Sequence, residues 1–184
     1  MSRYGIIVNV DRCAGCFACA VACKEENQVA PGIFWEKIKR DENVRDNVIN
    51  WFRMSCMHCD DPACMKVCPM KAIHKGPHDE VLVDQQKCIG CKMCMAACPY
   101  GARSYNPEAK VVEKCTLCHH LQEVGDQPAC VKVCCAKARF FGDIDDPESE
   151  VSRLINTTHT ERLFTELGTD PQIYYIPEMG GGAR

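Results

Sequence analysis

The stretch Asp11–Cys23, DRCAGCFACAVAC, decides what this chain is, because Lys87–Cys98, KCIGCKMCMAAC, says it again. Both read C-x2-C-x2-C-x3-C, both place a glycine before the second cysteine (Gly15, Gly90), and both follow an alternating apolar run. Those runs, IIVNVD at 6–11 and VLVD at 81–84, predict short strands. Two further stretches match each other. Cys56-Met-His-Cys59 leads into PACMKVCPMKA (62–72), and Cys115-Thr-Leu-Cys118 leads into PACVKVCCAKA (128–138). The order is therefore a two-motif unit, duplicated.

Cysteine is the compositional anomaly. Seventeen of 184 residues are cysteine, a density otherwise met in short disulfide scaffolds. Disulfides, zinc and iron–sulfur clusters compete for them. Disulfides fit poorly, because the start, MSRYGIIVNV, has one basic residue and no apolar run of signal-peptide length. Cysteines three residues apart also suit a shared inorganic group better than bridges between distant segments. Zinc takes four ligands, usually as two separated pairs, and gains nothing from three cysteines within seven residues and a fourth behind them. Bacterial-type ferredoxins use that arrangement: three cysteines wrap one face of a [4Fe–4S] cubane, and the fourth reaches a neighbouring cluster. The glycines permit the tight loops and close backbone approach this requires. Four sets predict four [4Fe–4S] clusters, held by every cysteine except one of the adjacent pair Cys134 and Cys135. Aligning PACMKVCPMKA with PACVKVCCAKA puts Cys134 on Cys68 and Cys135 on Pro69, which makes Cys135 the non-ligand.

The formal charge of −3 offers no basic surface for nucleic acid. No run approaches the roughly 18 apolar residues of a membrane span. The 46% hydrophobic content counts the cysteines; without them the core is thin, and bound metal should supply much of the stability. The expected fold is α+β, two nested bacterial-ferredoxin-like modules. The compact central block from Cys56 to Cys98 favours nesting, while sequential pairing of first with second set and third with fourth stays open. On the nested reading, residues 1–30 and 105–142 form module one and 51–104 form module two. Residues 143–184 then supply a helix and tail that cover clusters or dock a partner. There DDPESEVSRLIN (145–156) predicts a helix capped by Asp145 or Asp146 with Pro147 in its first turn. Gln172–Ile176 reads as a strand, Gly180–Arg184 as a flexible end, and segment 24–55 as irregular structure with short strands.

Each oxidised [4Fe–4S] centre with four thiolates carries about −2. Lys24, Lys66, Lys87, Lys92, Lys114 and Lys132 lie beside ligands and are expected to offset that charge collectively, although each alone reads as solvated. His58, His119 and His120 are not expected to replace a cysteine on iron, because every set already has four. The Asp60-Asp61 pair reads as loop chemistry. Trp35, Trp51, Tyr174 and Tyr175 are expected to cover clusters. No Ser/His/Asp or Cys/His arrangement suggests catalysis.

The four sets in this order, with IIVNVDRCAGCFACAVACKEEN at the start and FFGDIDDPESEVSRLI and LGTDPQIYYI near the end, resemble one family. It is the four-cluster iron–sulfur subunit of the dimethyl sulfoxide reductase-type molybdopterin oxidoreductases. The resemblance covers nearly the whole chain. It implies nested pairing, with one cluster on Cys13, Cys16, Cys19 and Cys134 and its neighbour on Cys115, Cys118, Cys130 and Cys23. A third would take Cys56, Cys59, Cys64 and Cys98, and the last Cys88, Cys91, Cys94 and Cys68. No ligand is replaced, so no [3Fe–4S] site is expected. The resemblance further implies a non-catalytic electron-transfer subunit of anaerobic metabolism, partnered by a large molybdopterin-containing catalytic subunit. The Mo- or W-bis-pterin would sit in that partner chain only. There is room for a membrane-anchor quinone-reactive subunit or a soluble electron carrier as a second partner. With no signal peptide of its own, the chain is expected to fold in the cytoplasm, and to stay there or be exported as passenger of a twin-arginine-bearing partner. The competing readings are a polyferredoxin-type subunit of a hydrogenase or formate-hydrogen lyase complex, and a zinc scaffold.

Overall fold

The computed structural model describes residues 2–43 and 48–177. The architecture is α+β, with small sheets and short helices repeated as ferredoxin-like modules. In chain order the elements are β1 (Tyr4–Asn9), α1 (Ala18–Glu26), β2 (Ile38–Asn43), β3 (Val48–Arg53), α2 (Ala63–Lys66), β4 (Ile73–Lys75), β5 (Val81–Val83) and α3 (Met93–Ala96). They continue with β6 (Ser104–Asn106), β7 (Val111–Glu113), α4 (His119–Gln122), α5 (Ala129–Lys132), β8 (Arg139–Asp143), α6 (Glu150–Thr157) and β9 (Ile173–Ile176). No helix among the described residues is long and apolar enough to cross a membrane.

β1 is the middle strand of a three-stranded sheet, antiparallel to β8 and parallel to β9. Its apolar run is buried on both faces. Ile6 and Val8 enter the cysteine-rich core, whereas Ile7 packs with Val151 of α6 and Ile176 of β9. The strands expected at 6–11, 81–84 and 172–176 are β1, β5 and β9. Segment 24–55 contains the β2–β3 hairpin, which pairs Ile38 with Arg53. Gly180–Arg184 lies outside the described residues.

The start of α6 differs from the sequence expectation. Ser149 caps it, accepting the Ser152 backbone N–H at 3.0 Å, and neither Asp145 nor Asp146 does. Pro147 precedes the helix. Asp146 is consumed by a turn of its own, because its carboxylate accepts the Glu148 N–H and its carbonyl accepts the Ser149 N–H. Aspartate is as good a turn residue as a cap, and only geometry decides which role it takes.

The duplication is written into the backbone. Gly15 and Gly90 sit at φ 63 and 67, and a Cβ there would collide with the Trp51 ring and the Lys110 carbonyl oxygen respectively. Two residues further on, Phe17 and Lys92 are left-handed at φ 59 and 62 and open α1 and α3. Lys71, Gly101 and Lys137, each three residues after the last cysteine of a set, share φ 49, 57 and 46. Helix α1 packs on α5, and α2 on α3.

Candidate metal centres

The α1 helix carries Cys19 and Cys23 one turn apart, so they point to different places along its axis. Cys23 lines a hollow of about 300 Å³ together with Cys115, Cys118 and Cys130. Cys19 lines another of about 360 Å³ together with Cys13, Cys16 and Cys134. The first and fourth cysteine sets therefore cross-supply two hollows: Cys23, on α1, lines the fourth set's hollow, and Cys134, just past α5, lines the first set's. A third hollow of about 360 Å³ is ringed by Cys68, Cys88, Cys91 and Cys94. Cys56, Cys64 and Cys98 lie close enough to Cys59 for their charges, after burial, to push its thiol up to about 12. Cys135 stands outside these groups, exposed, with its Sγ 4.0 Å from that of Cys16.

Among the described residues no three His, Cys, Asp or Glu side chains close on one point as around a single metal ion. The thiols instead ring open-mouthed hollows, four to each. Two of these spaces are lined by donors with no protein partner: Trp35 Nε1 in the first, Arg139 Nη1 in the second. Arg103 Nη1 and His58 Nε2 are also buried and unpartnered. The His58 Nδ1 accepts the Val81 N–H at 3.1 Å, which leaves its ring proton on Nε2. Burial first, then Lys114 and Arg53, hold that imidazole well below its ordinary pKa, so it is neutral. An orphaned buried donor costs about 1–3 kcal/mol. Sulfide and thiolate sulfurs are the acceptors these N–H groups lack, and the residues fit an iron–sulfur group.

Several buried thiols are held protonated until metal arrives. Burial pushes Cys19 and Cys115 up to about 11 and Cys130 up to about 12. Cluster assembly must displace those protons.

The six lysines are largely engaged elsewhere. Lys24 donates to the carbonyls of Val29, Ala30 and Ile33, Lys114 to those of Val81 and Cys115. Lys66, Lys87 and Lys132 pair with Asp61, Asp84 and Asp126, and Lys92 lies 3.9 Å over the Tyr105 ring. His119 and His120 pair with Glu80 and Glu26. Of the aromatics, Trp51 packs on the Gly15 loop, and Tyr175 is buried with its hydroxyl donating to the Arg53 carbonyl at 2.7 Å. Tyr174 lies under the Arg162 guanidinium.

Among the described residues, the cations that do reach sulfur are three buried arginines that sequence reading passed over. Arg139 Nη2 donates to Cys19 Sγ at 3.2 Å, Arg103 Nη2 to Cys64 Sγ at 2.7 Å, and Arg53 Nη2 to Cys115 Sγ at 3.5 Å. Glu36 joins two of them, accepting from Arg53 Nε at 2.9 Å and Arg139 Nη2 at 2.7 Å. Burial pushes the Glu36 carboxyl up, and the two guanidiniums more than reverse it, so it is ionised. A sequence signal existed for two of the three: Arg103 and Arg139 each follow a fourth cysteine, Cys98 or Cys134, by five residues.

Four-thiol hollows cross-supplied by paired short helices define an electron-carrying iron–sulfur protein of the ferredoxin type. Residues 48–144 match the family described as the 4Fe-4S dicluster domain. Over 97% of its length the chain is 35% identical to the arsenate respiratory reductase iron-sulfur subunit ArrB of Shewanella sp. (strain ANA-3), covering 97% of that protein. It is 39% identical to a sulfite dehydrogenase subunit of Allochromatium vinosum, over 96% of this sequence and 84% of that one. A polysulfide reductase chain of Wolinella succinogenes is 35% identical, over 98% and 97%. The protein belongs to the iron–sulfur electron-transfer subunits of the dimethyl sulfoxide reductase-type molybdopterin oxidoreductases. Such subunits are non-catalytic and pass electrons to or from a molybdopterin-containing catalytic partner.

Proposed function

We propose that the chain holds four [4Fe–4S] clusters in two nested modules and serves as the wire of a molybdopterin oxidoreductase. Module one is 1–30 with 105–142, module two is 51–104, and the remainder from 143 covers clusters or docks the partner. Cys13, Cys16, Cys19 and Cys134 hold one cluster, and Cys23, Cys115, Cys118 and Cys130 its neighbour. Cys56, Cys59, Cys64 and Cys98 hold the third, and Cys68, Cys88, Cys91 and Cys94 the last. The observation that carries this reading is the exchange of Cys23 and Cys134 between the hollows of the first and fourth sets. Bound clusters accept and release one electron at a time. The chain's part is to hold them apart from water and supply the donors described above. Its Mo- or W-bis-pterin lies in the partner.

Anaerobic purification from the native host tests this. The expected product is a brown complex with about 16 iron per copy of this chain, and molybdenum or tungsten in a larger subunit. Nickel in place of molybdenum or tungsten would favour a hydrogenase-type complex and sink the proposal. So would a colourless, zinc-loaded protein.

Cys135→Ala should leave that iron content unchanged, because the side chain lies outside every four-thiol ring and occupies the slot of Pro69 in the repeat. Loss of about four iron per chain would instead make Cys135 a ligand.

A further inference from the structure

The two arginines found five residues after a fourth cysteine occupy one structural position in successive repeats. Lys71, Gly101 and Lys137 are left-handed at the same place in the turn before it. The backbone N–H just ahead of it donates to the fourth cysteine's sulfur in two of the repeats, Ala72 to Cys68 and Ala138 to Cys134, both at 3.3 Å. The residue at the position itself differs: Ile73 after Cys68, Arg103 after Cys98, Arg139 after Cys134. The two arginines make the same bond. Arg139 donates to Cys19, Arg103 to Cys64, and each acceptor is the third cysteine of the opposite set. In the repeat ending at Cys68 the equivalent third cysteine is Cys94, and it packs in an apolar cluster with Ile73, which lines the same hollow; the set ending at Cys23 has Gln28 at this spacing.

Resting on the cluster assignment above, we propose that the residue five positions after the fourth cysteine sets the reduction potential of the cluster beside it. Reduction adds a negative charge to the cluster and its thiolates. A buried guanidinium donating to one of those sulfurs favours the reduced form and raises the potential, and burial keeps its field from being screened. Arg139 is 6% exposed and Arg103 5%, so neither charge is lost to solvent. Ile73 supplies no charge and no donor. The cluster of Cys68, Cys88, Cys91 and Cys94 therefore sits below the two that have arginine at this position, and the wire is graded. Glu36 trims the gradient at one end. Its carboxylate offsets part of the Arg139 charge, and Arg53 ties the same carboxylate to Cys115 of the neighbouring site.

The test is an EPR-monitored redox titration of the intact complex, with iron and acid-labile sulfide counted in every sample. Arg103→Ile and Arg139→Ile import the side chain that the repeat ending at Cys68 already uses. Each is expected to lower the midpoint of one cluster signal and leave the others in place. Glu36→Gln removes a negative charge while keeping the shape, and should raise the midpoint of the signal that Arg139→Ile lowers. Opposite signs cannot come from structural damage alone. Full iron content with unmoved midpoints overturns the proposal, as does a shift of the same sign for Glu36→Gln and Arg139→Ile. Should Arg139→Ile shed iron, Arg103→Ile, which lies outside the Glu36 array, still decides. About 8 iron per chain in the unsubstituted protein would overturn the four-cluster reading instead.

Discussion

Stripping the iron with a chelator under anaerobic, reducing conditions is expected to unfold the chain. Its secondary structure cannot stand by itself: α2, α3, α4 and α5 are four residues each, far below the roughly 12–15 residues at which an isolated helix becomes even marginal. The pairs β2–β3, β4–β5 and β6–β7 are two-stranded ribbons, which are marginal in water. The main apolar cluster is built partly from Cys19, Cys23, Cys56, Cys59, Cys115 and Cys130. With the metal gone, those thiols surround voids. Structural zinc sites contribute about 10–16 kcal/mol apiece, and a whole domain is stable by about 5–15 kcal/mol, so losing groups of comparable binding energy exceeds the margin. The expected result is loss of a cooperative melt and rapid proteolysis. A chelated chain that still melts cooperatively and resists protease would refute it.

Arg53→Ala is the second large effect. Arg53 is fully buried and spends all three nitrogens: on Glu36, on the Cys56 carbonyl at 3.1 Å, and on Cys115 Sγ. Its loss empties a large side-chain volume and leaves the buried Glu36 carboxylate with Arg139 and Ser55. Breaking a buried pair by deleting one partner costs about 3–5 kcal/mol, which for a chain of this size lowers the melting temperature by roughly 6–20 °C. Differential scanning calorimetry of the loaded complex gives the answer. A melting temperature within about 2 °C of the parent would mean the array is not a structural anchor.

These effects separate what could be read in the sequence from what could not. The β1, β5 and β9 strands, the repeat and the glycine loops were legible, because each rests on neighbours within a few residues. The cap of α6 was misread, since Asp145, Asp146 and Ser149 are all competent caps and only the turn closed by Asp146 removes the earlier candidates. The lysines drew attention because they adjoin cysteines, yet adjacency is not contact: Lys66 and Lys132 point to aspartates.

The sequence alone determined which side chains are thiols at cluster spacing, and with them the class of inorganic group, because those spacings span a single loop and one helical turn. Tertiary structure decided which thiols ring one hollow and which charge reaches each of them. Cys19 and Arg139 are 120 residues apart, and Arg53 and Cys115 are 62. Pairs that distant meet only once the chain has folded, with α1 packed against α5. Arg53 holds no position in the repeat, so its contact with Cys115 depends on final packing and no local pattern encodes it.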